Sequence, residues 1–234
     1  MKNVLIFLFL TLTFTVYSQN VITVPSGYKG HVNVFFVETA NGWILIDVAG
    51  ESDFENIKAV MKENDIEPGN VHNIILTHGH SDHVGGLNLL REYTGAKVIS
   101  HESIKEGIEK GVASDATPRT IFASILNLFF GSLEITPAKV DITFKDEIDL
   151  TVYGIDAKAI HSPGHSKGSI TIMFNNGVTF IGDQLRDGKK GLNIGMIYDD
   201  EELAIRSIKV FKKSNLTDIY LSHGTKITKD QIIY

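Results

Sequence analysis

Apolar residues recur along this chain in two rhythms. Short apolar or alternating runs at 31–37, 43–47, 71–77, 97–100, 142–144, 157–160, 169–174, 178–181 and 219–221 predict strands. Asn41-Gly42 and Asn176-Gly177 separate neighbouring runs and predict tight hairpins, since both residue types tolerate positive φ. A helical rhythm links Phe54, Ile57, Val60 and Met61, behind a Ser52/Glu55 pair that fits a capping box. Gly85-Gly86 leads Leu87, Leu89 and Leu90 into a second helix. A third, over about 200–213, has acidic residues at its start and Lys212-Lys213 at its end, as the helix dipole favours.

Residues 102–140 break this order. Ile121, Phe122, Ile125, Leu126, Phe129 and Phe130 predict a strongly apolar helix there. Such a helix reads first as a core element; the alternative is an insert acting as a lid whose apolar face borders the substrate pocket. No linker or low-complexity tract divides the rest. Each half runs hairpin, strands, helix, which predicts an α/β (α+β) chain of two similar sheet-and-helix layers, one domain over 19–234.

The N-terminus stands apart. Lys2 precedes the apolar run Val4 to Leu10, which continues through Leu12, Phe14 and Val16 to the small Ser18. This is the pattern of a signal peptide over 1–18, too short and too broken by threonines to span a bilayer. It predicts export to the periplasm or medium, with no membrane span left after cleavage. The 234 residues contain no cysteine, so thiolate ligands, thiol nucleophiles and a lipid-bearing N-terminal Cys are all excluded. Any metal must be held by His, Asp and Glu. The formal charge of −6 gives no basic footprint, and nucleic acid is not expected as a partner.

The densest chemistry lies at Thr77-His78-Gly79-His80-Ser81-Asp82-His83, where a strand runs out. Side chains two apart on extended backbone share a face, so His78 and His80 converge on one ion. Asp82 and His83, as the chain turns into a helix, point to a second position beside it. Gly79 lets the backbone pass close, and Gly85-Gly86 allow tight packing behind. His165, Asp183 and His223 follow other predicted strands, where a polar side chain without a partner is costly and where open α/β sheets place their sites. A donor set of imidazole and carboxylate suits Zn²⁺, with Fe or Mn possible.

The order His78-x-His80-x-Asp82-His83, then His165, Asp183 and His223, resembles the metallo-β-lactamase fold superfamily. Asp47, at the end of Ile44-Leu45-Ile46, and Ser162-Pro163-Gly164-His165-Ser166 resemble further motifs of it. The resemblance runs from about Val32 to Gly224 and implies a four-layer αββα sandwich with its site at one edge. It implies that His78, His80 and His165 hold a first zinc, that Asp82, His83 and His223 hold a second, and that Asp183 bridges them. Asp47 would orient a liganding histidine from behind. His161 falls where the family varies, and His31, His72 and His101 match nothing, which places them at the surface or behind ligands.

An intact Asp183 resembles the glyoxalase II, lactonase and nuclease branches. The stretch Asp183-Gln184-Leu185-Arg186-Asp187-Gly188 lacks the Gly-Cys-Gly-Arg of glyoxalase II and persulfide dioxygenases. Arg186 also stands where the best-known acyl-homoserine lactonases have Tyr. The expected activity is cleavage of an ester, thioester, lactone or related bond in a small molecule by a hydroxide shared between two ions about 3.5–4 Å apart. β-Lactam hydrolysis and mononuclear iron oxidation are the alternatives. Asp82 is the catalytic candidate, orienting the nucleophile and passing a proton to the leaving group. Arg186 is a substrate-binding candidate, together with Lys189-Lys190, for an anionic group; the plain alternative for all three is a solvated charged loop.

Overall fold

Alternation along the central strands decides which of three apolar layers each residue enters. The computed structural model describes residues 19–130, 134–188 and 191–234. The expected signal segment 1–18 and Lys189-Lys190 lie outside the described residues, as do the side chains of Leu126, Phe129 and Phe130. Strands β1 (Val21–Ser26), β2 (Val32–Thr39), β3 (Gly42–Ile46), β4 (Val71–Ile75), β5 (Lys97–His101) and β6 (Ile142–Phe144) form one sheet in that order. A second sheet has the order β11 (Ile219–Tyr220), β10 (Thr179–Phe180), β9 (Ile170–Phe174), β8 (Ala157–His161), β7 (Glu147–Asp149).

Phe35, Ile44, Ile46 and Ile75 face inward and meet Ile170, Ile172, Phe174 and Phe180 of the other sheet. Their neighbours Phe36, Leu45 and Ile74 face outward, under α1 (Phe54–Glu63), α3 (Leu87–Thr94) and α4 (Glu102–Lys110). On the far side Met173 and Ile219 are covered by Ala204, Ile208 and Phe211 of α6 (Glu201–Phe211). A strand buried on both faces must be apolar at every position, which explains the unbroken runs at 44–46 and 74–76. The result is a sandwich of helices, sheet, sheet, helix.

Strand direction then gathers the loops. β3, β4, β5 and β6 are parallel, so their C-terminal ends share one edge. In the second sheet β9 runs antiparallel to both β8 and β10, and β11 is parallel to β10. The loops after β8, β10 and β11 therefore emerge together. The two edges are joined where Ile170 N–H donates to the Thr77 carbonyl at 2.8 Å and Asn33 N–H to that of Ser222 at 2.8 Å.

Three expectations are corrected. The first helix is not opened by a Ser52/Glu55 capping box; a 3₁₀ turn over Glu51–Asp53 precedes it. Asp53 closes the start of that turn, accepting from Gly50 N–H at 3.2 Å and Gly27 N–H at 2.7 Å. His101, expected at the surface or behind a ligand, is instead buried with its ring stacked on His161, centroids 4.0 Å apart, and its nitrogens bonded to Ser103 and the Lys145 carbonyl. The apolar helix forms as α5 (Ile121–Phe130), but its large described side chains do not enter the core. Ile121 is 83% exposed, Phe122 60%, Ile125 50% and Leu128 80%, and Ala123 alone is buried among its described side chains.

Candidate metal centre

Each side chain of the centre is delivered by a strand that has just ended. Beyond β4 the chain bends at Thr77 and is extended again at His80 (φ −70°, ψ 148°), and His78 and His80 project together. The one-turn helix α2 (Ser81–Val84) then carries Asp82 and His83. His165 comes from the turn after β8, Asp183 follows β10 and His223 follows β11. Gly79 has no room for a side chain, since a Cβ would run into Ser114, whose N–H donates to the Gly79 carbonyl at 2.7 Å. Gly85 and Gly86 similarly lie against the backbone of residues 48–50.

All seven expected ligands converge. His78 Nε2 lies 3.0 Å from His80 Nδ1, and His165 Nε2 lies 3.3 Å and 3.1 Å from those two atoms. Three nitrogens bound tetrahedrally to one zinc stand about 3.3–3.4 Å apart. Beside this trio is a second group: His223 Nε2 lies 3.5 Å and His83 Nε2 3.7 Å from Asp82 Oδ2. Asp183 sits between them. Its Oδ1 is 3.4 Å from His83 Nε2, and its Oδ2 is 3.0 Å from His223 Nε2 and 3.7 Å from His165 Nε2.

The groups behind the ligands set which nitrogen faces inward. His83 donates its Nδ1–H to Asp47 Oδ2 at 2.8 Å, leaving Nε2 toward the centre. His78 donates Nδ1–H to Thr77 Oγ1 at 3.1 Å, and that hydroxyl donates to Asp47 Oδ2 at 2.7 Å. Thr77 N–H donates to the other oxygen of Asp47 at 2.7 Å. His80 is turned the other way, giving Nε2–H to the Asp115 carbonyl at 3.2 Å and Nδ1 to the trio. His223 donates Nδ1–H to the carbonyl of His31. Asp47 thus stands behind both groups, directly for His83 and through Thr77 for His78. Thr77, the carbonyls of Asp115 and His31 and the 3₁₀ turn escaped the sequence reading; only Thr77, adjoining His78, left a signal.

The residues fit a metal by the test of unmet polar atoms. His83 Nε2 and Asp183 Oδ1 are buried, point into the cluster and have no hydrogen-bond partner. Among the described residues, His78/His80/His165, His78/His83/Asp183 and Asp82/His83/His223 each bring three donor atoms within 4.8 Å of one another. Electrostatics separates the two groups. Burial, the chief cause, pushes His78 and His80 down and His165 down to about 3. Burial also opposes charge on His83 and His223, but Asp82 and Asp183 override it and raise them to about 9 and about 10. Desolvation works against the carboxylates too, yet these histidines hold Asp82 and Asp183 well below the usual carboxylate range.

Arg186 stands differently. Its backbone pairs with Asn193, its aliphatic stem lies against Gly195, and among the described residues it forms no ion pair. His161 is no ligand; its Nε2–H is given to the Lys167 carbonyl at 2.8 Å. His72 is exposed and bonds the Asn41 carbonyl.

Comparisons with known proteins agree with this geometry. The family model for the metallo-beta-lactamase superfamily matches residues 27–223. The probable metallo-hydrolase YqgX of Bacillus subtilis is 26% identical over 195 residues, covering 82% of this chain and 84% of that protein. The hydroxyacylglutathione hydrolase GloC of Haemophilus influenzae is 29% identical over 192 residues, covering 80% and 82%. Among solved structures, the BLEG-1 B3 metallo-beta-lactamase superposes with a TM-score of 0.67 at 23% identity, covering 91% of this chain and 95% of that one. With fold, ligand order and match in agreement over most of its length, the chain belongs to the metallo-beta-lactamase superfamily of metallo-hydrolases.

Proposed function

We propose that this chain holds two metal ions, zinc or else iron or manganese, and hydrolyses an ester, thioester or lactone bond in a small molecule outside the cytoplasm. The observation that carries the two-metal reading is Asp183: one buried carboxylate faces His165 of the first trio with Oδ2 and His83 of the second with Oδ1, which has no other partner. His78, His80 and His165 would hold the first ion, Asp82, His83 and His223 the second, with Asp183 between. Such ions, when bound, would supply a water acidified towards neutral pH and a Lewis acid for the substrate oxygen.

The rest falls to the protein. Asp47 and the carbonyls of Asp115 and His31 fix the tautomers of His83, His80 and His223, and Thr77 fixes that of His78. Asp82 is the most open of the seven side chains, with 52% exposure. It stays ionised at neutral pH, so it accepts a hydrogen bond from the attacking water and orients it toward the substrate. Its low proton affinity makes it an orienting group more than a proton store. Relatives named hydroxyacylglutathione hydrolases support acyl cleavage. Export is supported by Lys2 and the apolar run behind it.

Asp183→Ala should lower metal content from two ions to one and turnover by about a thousandfold, the scale of losing a preorganised charge at the reacting centre. The test is elemental analysis joined to an ester, lactone, thioester, β-lactam and phosphodiester panel. Two ions and full turnover in that variant would sink the bridging role, and a panel result confined to β-lactams would replace the substrate class.

A further inference from the structure

The insert that carries α5 is fastened to two ligands of the same pocket. At one end, Ser114 N–H reaches the Gly79 carbonyl at 2.7 Å, and the next residue, Asp115, accepts from His80 Nε2–H at 3.2 Å. The second tie comes from outside the insert, just before α6, where Asp199 N–H donates to the carbonyls of Gly164 at 2.9 Å and His165 at 3.0 Å. Between these anchors the two segments are clasped. Thr117 Oγ1–H donates to Asp199 Oδ1 at 2.6 Å, and Tyr198 N–H to the Thr117 carbonyl at 3.1 Å. Arg119 gives Nε–H to the Tyr198 carbonyl at 2.7 Å while its guanidinium lies 4.9 Å from the Tyr198 ring centroid. Its other amino group reaches the Asp199 carbonyl. With His165 Nε2 standing 3.1 Å from His80 Nδ1, the path closes into a ring around the first trio.

We propose that Thr117 and Asp199 are positioning residues for the first metal pocket, their hydrogen bond holding His80 and His165 in register and joining α5 to the pocket as one mechanical unit. The proposal rests on the reading of the trio as a metal site. Thr117 and Asp199 lie 82 positions apart and neither belongs to a strand or helix. Their segments are also paired by an antiparallel Pro118–Ile197 bridge and by Arg119 N–H to the Met196 carbonyl at 2.8 Å, and the side-chain bond closes this pairing at the end from which Asp115 and Asp199 reach His80 and His165. Linkage makes the effect reciprocal: whatever the clasp adds to metal affinity, metal returns as order in the clasp and the helix above it.

The experiment titrates the full chain with Zn²⁺ against a chromophoric chelator and follows amide hydrogen exchange in α5 with and without metal. His223→Ala, which removes a ligand of the second pocket alone, assigns the two binding steps. Thr117→Val is nearly isosteric and should weaken the first step about tenfold, the low end for groups behind metal ligands, leaving the second unchanged. It should also abolish the slowing of α5 exchange that metal produces in the parent chain. Asp199→Ala should do the same, whereas Thr117→Ser and Asp199→Asn, which keep the donor and the acceptor, should restore both readouts. Unaltered first-step affinity and unaltered α5 slowing in Thr117→Val would overturn the clasp while leaving the metal site intact. A parent chain that takes up no zinc at the trio would overturn the metal reading and the clasp with it.

Discussion

The two halves of the centre share a wall yet are prepared for metal in opposite ways. His78, His80 and His165 are buried among other imidazoles, and burial keeps His78 and His165 neutral well below pH 6.5 and lowers His80 as well. His83 is as enclosed and His223 slightly less so, but Asp82 and Asp183 face them and raise their pKa to about 9 and about 10. His83, at 0% exposure, is at least as deep as the trio yet holds the opposite protonation state, so here carboxylate placement outweighs depth. The first pocket is ready for a cation as it folds. The second already contains its cations, two protons, which a metal has to displace.

The sharpest way to break this contrast is pH. Zinc affinity at the second pocket should climb between pH 6.5 and 8.5 by about tenfold per unit for each proton displaced, and so up to about a hundredfold for two. At the first pocket it should stay flat. Calorimetry in buffers of differing ionisation heat would count the protons, and equal slopes at both sites would end the distinction. Next comes Asp47→Asn, which weakens the acceptor behind His83. It should loosen the second pocket about 10–100-fold and the first by less, through Thr77. Thr77→Val should invert that ranking, costing the first pocket about tenfold because His78 loses its acceptor. If both substitutions struck the same pocket, Asp47 would not serve the two sites by separate routes.

The smallest effect is on stability without metal. His83 and His223 have folded pKa values raised above 6.5, so their contribution is fully present below pH 6.5 and is lost as pH rises through about 9 to 10. His165, lowered to about 3, acts in the other direction, disfavouring the fold as pH falls from 6.5 towards 3. Chelated protein should therefore melt highest near neutral pH and a few degrees lower on either side. A melting temperature that rose steadily from pH 7 to 10 would contradict the protonated state of the second pocket.

Much of this was legible in the chain. Each ligand follows an apolar run, and a polar residue at such a place needs a partner, so His78 to His83, His165, Asp183 and His223 stood out before any coordinates. The doubly buried strands were visible for the same reason. β1 and β7 were not: the first carries Pro25 and polar Ser26, and the second is three residues of which two are acidic. The groups that fix His80 and His223 are backbone carbonyls, which have no residue type to read. α5 misled because hydrophobicity was taken as burial. Its residues form the expected helix, but the chain before it is tied to the centre, and the tie between Thr117 and Asp199 is set by folding across 82 positions.

His78 and His165 lie 87 positions apart and arrive from different sheets. In a chain without cysteine, an ion held by both would be a cross-link. Closing a loop of that span removes about 4–5 kcal/mol of freedom from the unfolded chain, by the same reckoning used for disulfides. Such an ion would be a staple as well as a reagent, and a chelator would act on this fold as a reductant acts on a disulfide-bonded one.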